Sequence, residues 1–223
     1  MQLEIKVTSD GSPTIYSPEL NEHYHSINGA YTESKHVYIN AGLLEKQKSG
    51  LQQINILEIG LGTGLNLILT KNECAVFGGK VLYHALEPFP LETKLITALK
   101  DFDMKQFGLD TNLFSLIHET AFEKEIDLSP ELSFIKMNCT LENFSSLTSY
   151  DLVYFDAFGP QVQPGVWSEE NFRKIFELMN PSGILVTYCA KGAVRRTMLS
   201  VGFTIERIPG PPGKREMLRA TKK

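Results

Sequence analysis

The most constraining feature of the chain is a glycine-rich turn, Glu58-Ile59-Gly60-Leu61-Gly62-Thr63-Gly64. The apolar run before it, 54–59 (INILEI), reads as a short buried strand, and 65–74 after it reads as a helix. A strand that turns tightly into a helix belongs to an α/β sheet and marks the sheet end where ligands bind. The glycines at 60, 62 and 64 let the backbone turn sharply and let a ligand lie against the main chain without a Cβ clash.

The pattern continues along the chain. Apolar runs at 81–86, 133–137, 151–155 and 183–188 predict strands, and 91–99, 169–179 and 192–200 predict helices between them, with Ser168 as the N-cap of the second. Segment 102–132 has no clear pattern beyond a helix near 113–122. Such alternation specifies a mostly parallel sheet covered on both faces. The last two strands, 203–208 and 216–220, are joined by a tight Gly/Pro loop and must be antiparallel neighbours. Upstream, 3–7 and 14–16 flank Asp10-Gly11 as a hairpin, and 32–48 reads as a helix ended by Gly50. The expectation is an N-terminal extension, 1–50, packed on a main domain, 51–223.

A chain of 223 residues with 42% hydrophobic and 22% charged side chains is an ordinary globular one, which excludes disordered and collagen-like classes. No segment approaches the roughly 20 apolar residues of a membrane helix, and the N-terminus lacks the apolar core of a signal peptide. A cytoplasmic protein with no membrane partner is expected. Cys74, Cys139 and Cys189 are widely spaced and form no CxxC, so neither a disulfide framework nor a metal site is expected. The oligomeric state is left open, a monomer included.

The turn selects among ligands. A dinucleotide fingerprint needs G-x-G-x-x-G, but its third glycine position is Leu65 here, so NAD and FAD are disfavoured. A phosphate-binding G-K-[ST] is absent. Glu87, at the end of the second strand, is placed to accept hydrogen bonds from a ribose diol. Glu58, beside the first turn, suits a cationic ammonium group. Together these fit S-adenosylmethionine, which has an ammonium, a ribose diol and no phosphate.

Asp156 ends the fourth strand and opens the loop Asp156-Ala157-Phe158-Gly159-Pro160, which runs on to Trp167, the single tryptophan. That position puts Asp156 in the ligand crevice beside a donor methyl, where a carboxylate can orient an amine and take its proton. The alternative is that Asp156 merely caps the loop. Charge is uneven: residues 191–223 carry nine Lys or Arg against two Glu, net +7, on a body of net −11. A polyanion partner for one face follows, or else a solvated basic tail.

Four segments carry a resemblance: 58–66 (EIGLGTGLN), 151–167 (DLVYFDAFGPQVQPGVW), 192–203 (GAVRRTMLSVGF) and 210–218 (GPPGKREML), with 24–34 (YHSINGAYTES) in support. The chain resembles the methyltransferase domain of the tRNA 5-methylaminomethyl-2-thiouridine biosynthesis (MnmC) family and its stand-alone relatives over nearly its whole length. The resemblance implies a class I, Rossmann-like S-adenosylmethionine-dependent methyltransferase fold with seven strands. It implies methylation of 5-aminomethyl-(2-thio)uridine at the tRNA wobble position, with Asp156 beside the reacting amine. Glu58, Gly60, Gly62, Gly64, Asn66 and Glu87 become candidate donor-binding residues. Where similar proteins usually have an adenine-contacting Asp, this chain has Asn138. The FAD-dependent oxidase domain of the bifunctional members is not expected here.

On this reading Arg195, Arg196, Lys214 and Arg215 are candidates for anticodon-arm phosphates. Tyr24, Phe158 and Trp167 are candidates to stack on a splayed base, with core packing as the alternative for each. Two other functions remain: a different transferase on the same fold, such as an aminopropyltransferase, and a non-catalytic tRNA-binding module.

Overall fold

The computed structural model describes residues 3–102 and 105–223; of the unpatterned segment 102–132, Asp103 and Met104 lie outside the described residues. The chain opens with a small antiparallel sheet, β1 (Glu4–Val7), β2 (Pro13–Ser17) and β3 (Glu22–His23). Asp10 organises it: its carboxylate accepts from Ser12 N at 3.0 Å, Thr8 Oγ1 at 2.8 Å and Thr32 N at 2.9 Å. Burial alone would raise this carboxyl, but the hydrogen bonds from Ser12 and Thr32 outweigh it and bring its pKa down to about 2.

The helix expected at 32–48 runs from 30 to 47 and changes character twice. It comprises α1 (Ala30–Ser34), a π-helical segment Lys35–Leu43, and α2 (Leu44–Gln47). The backbone N–H of Leu44 bonds to Ile39 O, five residues back. Val37 and Gly42, and Tyr38 and Leu43, are buried pairs five residues apart, the spacing of an i to i+5 turn.

The main sheet follows: β4 (Gln53–Ile59), α3 (Leu65–Phe77), β5 (Lys80–Leu86), α4 (Thr93–Lys100), α5 (Thr111–Glu119), β6 (Ile126–Ser129), β7 (Leu132–Met137), β8 (Tyr150–Phe155), α6 (Glu169–Leu178), β9 (Met179–Thr187), α7 (Gly192–Val201), β10 (Thr204–Pro209) and β11 (Glu216–Thr221). Ser168 caps α6 as expected, accepting from Asn171 N at 3.2 Å. The strand order is β10-β11-β9-β8-β4-β5-β7-β6. Five central strands are parallel, and β11 is antiparallel to both neighbours. The seven expected strands are joined by an eighth, β6, so two strands are reversed rather than one. Its four residues return through Pro130 and Glu131 into β7, a turn too short for anything but an antiparallel pair.

Strand parity divides the core. Ile54 and Ile56 of β4, Leu152 and Tyr154 of β8, and Ile184 and Val186 of β9 face the N-terminal helix and α3. Leu57 and Ile59, Val153 and Phe155, and Leu185 face the opposite layer, which holds Phe172 and Ile175 of α6 and Val194 and Met198 of α7. Ile15, Val37, Tyr38, Ile39 and Leu43 share one apolar cluster with the sheet, so residues 3–50 contribute to the same core as the strands.

The N-terminal helix meets the sheet at Gly42, where an added Cβ would lie 3.0 Å from Val186 Cγ2 and 3.3 Å from Tyr154 Cε1. Gly42→Val should therefore cost about 1–3 kcal/mol through overpacking. Urea unfolding checks this, and unchanged stability would mean that the helix is not pressed onto β8 and β9.

Candidate active site

The site forms where β4, β5 and β8 end together. Asp156 N donates to Ile59 O at 3.1 Å, and Gly60 N donates to Leu86 O at 3.1 Å, so the three strand ends are tied by backbone bonds. The turn needs glycine: Gly60 and Gly62 have φ of +90° and +52°. A Cβ on Gly60 would sit 3.0 Å from Asp156 O, and one on Gly62 would sit 3.3 Å from the Tyr24 ring. Glu87 is fixed beside the turn, with Oε2 accepting from Gly62 N at 2.8 Å and Oε1 from Phe89 N at 2.8 Å. Burial raises its carboxyl, with those two N–H groups and Lys136 opposing.

These groups line a cavity of about 640 Å³, within the roughly 300–1,000 Å³ of small-molecule clefts. Of the residues expected from sequence, Tyr24, Gly60, Gly62, Glu87, Asp156, Phe158 and Lys214 reach its wall. Tyr24 and Phe158 meet edge to face, with ring centroids 5.0 Å apart. Five described wall residues carry carboxyl groups (Glu22, Glu33, Glu87, Glu142 and Asp156), against the single cation Lys214. The cavity therefore favours a cationic or amine-bearing occupant.

Asp156 is the most constrained of these. Tyr38 Oη donates to its Oδ1 at 2.6 Å, and Asn66 Nδ2 donates to its Oδ2 at 2.8 Å. Burial raises Asp156 to about 7, with Glu33 adding to the rise while Tyr38, Asn66 and Lys214 oppose it. The same Asn66 Nδ2 donates to Glu58 Oε1 at 2.9 Å. A flipped Asn66 would aim its oxygen at both carboxyl groups, so the donor orientation is the one these partners enforce. Glu58 was expected beside a cationic part of the ligand. It lies fully buried on the core side of β4 instead, in the same parity as Ile54 and Ile56. Burial, with the charge of Asp156 added, pushes Glu58 well above the carboxylate range.

Other expected residues stand away from the wall. Gly64 makes the left-handed start of α3 and packs by Ile117. Asn138 bonds across to Glu87 O at 3.3 Å and to Glu123 through its own N–H at 3.1 Å, holding the end of β7 to that of β5. Trp167 is 5% exposed, packs on Phe155 at 4.6 Å and donates its indole N–H to Phe158 O at 2.7 Å. It supports the loop from behind. Arg196 and Arg215 are exposed and Arg195 is half-buried. None of the three lines the cavity; Lys191, just before α7, bonds to the wall residue Gln161, and Arg215 follows the wall residue Lys214 in sequence.

From the N-terminal helix and sheet, sequence reasoning placed Tyr24 at the site but missed Glu22, Glu33 and Tyr38. Glu33 pairs with Lys214 and accepts from Ser26 N at 2.7 Å, and Lys214 lies over the Tyr188 ring, 3.9 Å from its centroid. His25 lines the cavity beside Thr14 and Thr63, and burial pushes it down to about 4, so it is neutral at neutral pH. Gln161 Nε2 donates to Glu22 at 3.1 Å, joining the loop after β8 to β3. No short-range signal marks these contacts, because each joins segments far apart in sequence.

A glycine cradle that a Cβ would fill, a fixed carboxylate at the second strand end and an acidic cavity of this size fit S-adenosylmethionine. Among the described residues no group of three or more His, Cys, Asp and Glu is arranged to hold a metal ion, and no helix is long and apolar enough to cross a membrane.

The Asp156 carboxyl has a direct stability signature. Its folded pKa of about 7 exceeds the ordinary 3.8, so the folded state holds this proton more tightly. Its contribution is full below about pH 4 and lost as pH rises through 7. Asp156→Asn keeps an acceptor for Tyr38 and removes the ionisation. Its melting temperature relative to the parent should rise by roughly 2–5 °C between pH 5 and pH 8.5. A constant difference across that range would mean that Asp156 ionises without cost.

Comparison with known proteins agrees with this geometry. Residues 105–223, more than half of the chain, match a family model described as S-adenosyl-L-methionine-dependent methyltransferase. The tRNA 5-methylaminomethyl-2-thiouridine biosynthesis bifunctional protein MnmC of Cupriavidus necator is 28% identical over 96% of this chain and 34% of its own length. The protein of the same name from Campylobacter hominis is 28% identical over 92% of this chain and 31% of its length. The chain thus spans about a third of the curated relatives it matches. Among solved structures, MNMC2 of Aquifex aeolicus superposes with a TM-score of 0.81 at 24% identity, over all of this chain and 70% of that one. Spermidine synthase of Thermotoga maritima superposes at 0.51 with 9% identity, over all of this chain and 80% of that one, a likeness of fold alone. With the fold, the glycine cradle and the match in hand, the chain belongs to the S-adenosyl-L-methionine-dependent methyltransferase family.

Proposed function

We propose that this protein methylates the exocyclic amine of 5-aminomethyl-uridine, 2-thiolated or not, at the wobble position of tRNA. The observation that carries this reading is Asp156, a carboxylate held by two donors in the wall of an acidic cavity. S-adenosylmethionine, when bound, supplies a methyl group on a sulfonium centre; Gly60, Gly62 and Glu87 would hold it. An acidic wall gathers an amine-bearing base, and an amine must be neutral to attack. A carboxyl with its pKa raised to about 7 is ionised enough at neutral pH to accept a hydrogen bond and then a proton from that amine. Tyr24 and Phe158, edge to face in the cavity wall, offer an apolar surface for the base.

The names of the curated relatives support tRNA as the polyanion. So does the basic excess of residues 191–223, where Arg196 and Arg215 are exposed. Others of the basic residues are already engaged: Arg207 with Glu216, and Arg219 with Glu206 and Glu45. We place the reaction in the cytoplasm, where tRNA is modified.

The test is a methyl-transfer assay with S-adenosylmethionine and tRNA bearing 5-aminomethyl-uridine, read by nucleoside mass spectrometry. The expected result is one added methyl on that uridine, with kcat in Asp156→Ala down by about 10²–10⁴ and donor affinity within about twofold. Donor binding with no methylated uridine would remove the assigned acceptor, and near-normal turnover in Asp156→Ala would remove the assigned role. Separately, replacing Arg195, Arg196 and Arg215 with Gln should flatten the salt dependence of tRNA binding, each lost phosphate contact lowering the log–log slope by about 0.7–0.9. An unchanged slope would put the tRNA on another face.

A further inference from the structure

The N-terminal helix carries one polar group into the centre of the site. Tyr38 is 1% exposed, its ring lies 5.2 Å from that of Tyr154, and its hydroxyl donates to Asp156 across 118 residues of sequence. We propose that Tyr38 is a positioning residue for methyl transfer, which with Asn66 fixes the plane and the ionisation of the Asp156 carboxylate.

The geometry supports this. A carboxylate gripped at one oxygen still swings about its last torsion; Tyr38 and Asn66 grip different oxygens from different elements and remove that freedom. Each oxygen keeps a second acceptor site, so the carboxylate remains able to receive an amine. The donor itself cannot swing, because its ring is packed against β8 and its helix is seated through Gly42. The π-helical segment that holds Tyr38 is the form helices often adopt at functional positions.

The hydroxyl also sets charge. Asp156 faces Glu33 from α1, Lys214 from the β10–β11 loop, Tyr188 after β9, Glu58 from β4 and Tyr83 from β5. Burial and the acidic neighbours favour its neutral form, while Tyr38, Asn66 and Lys214 favour the anion. Tyr38 stays protonated throughout, since burial and then Asp156 itself push its phenol well above 10. Removing the hydroxyl should raise the Asp156 pKa, leaving less anion at neutral pH to accept the amine.

The catalytic consequence rests on the amine-methylation reading, but the placement of Asp156 does not, and the experiment separates them. Asp156 is titrated by ¹³C NMR in protein labelled at aspartate carboxyl carbons, with the signal assigned by its loss in Asp156→Asn. In Tyr38→Phe the midpoint is expected to rise by about one pH unit. The acid limb of the kcat profile should rise by the same amount, lowering kcat about five- to sixfold at pH 7, with KM for tRNA within about twofold. An unmoved midpoint overturns the proposal even where turnover falls, since a purely structural role would leave the titration alone. A raised midpoint in a protein whose parent form does not methylate aminomethyl-uridine would uphold Tyr38 and condemn the acceptor instead. Should Tyr38→Phe not fold, 3,5-difluorotyrosine incorporated at position 38 gives a stronger donor of nearly the same shape. It is expected to lower the midpoint, and no movement would again overturn the proposal.

Discussion

A carboxylate withdrawn from water must be given hydrogen-bond donors or it loses its charge, and the site is organised around that constraint at Asp156. The residue sits where β8 ends, in the parity of Leu152 and Tyr154, so it points toward the layer that holds α3 and the N-terminal helix. That layer supplies both donors, Asn66 from the first turn of α3 and Tyr38 from the π-helical segment. Glu58 enters from the neighbouring strand in the same parity and shares Asn66 with Asp156. One buried amide thus joins the glycine turn to the carboxylate, and a displacement of either disturbs both.

The described N-terminal residues, 3–50, follow from the same requirement. They complete one face of the core through Ile15, Val37, Tyr38, Ile39 and Leu43, and they bring Tyr24, His25 and Glu33 to the cavity. Asp10 fastens the first hairpin to α1 by bonding Thr32, which fixes where that helix begins. Glu33, one residue on, pairs with Lys214 from the far end of the chain. The cavity is therefore closed by groups from both termini around a floor of central strand ends.

What could be read from the sequence was whatever short-range pattern specifies. The strand ends, the glycine turn, Glu87 and Asp156 were legible because apolar runs and turn residues place them without reference to any partner. The inward direction of Glu58 was legible too, since it shares parity with Ile54 and Ile56, yet proximity to the turn drew it toward the ligand. Tyr38 was hidden because one tyrosine among Val37, Ile39 and Leu43 looks like core, and core it is, apart from a single hydroxyl. Trp167 ends an aromatic loop, which leaves base stacking and core packing both open; the pocket beside Phe155 and Phe172 decides for packing. The eighth strand, β6, escaped notice because four residues carry too little alternation to stand out from a connection.

On the proposed reading Asp156, held by Tyr38 and Asn66, faces the reacting centre of the donor across the glycine turn. A crystal structure with S-adenosylhomocysteine bound tests it most directly. The ribose hydroxyls are expected on Glu87, the sulfur facing Asp156, and both donors still on the carboxylate. A nucleoside bound elsewhere in the cavity, or an Asp156 turned away from Tyr38 and Asn66, would contradict it.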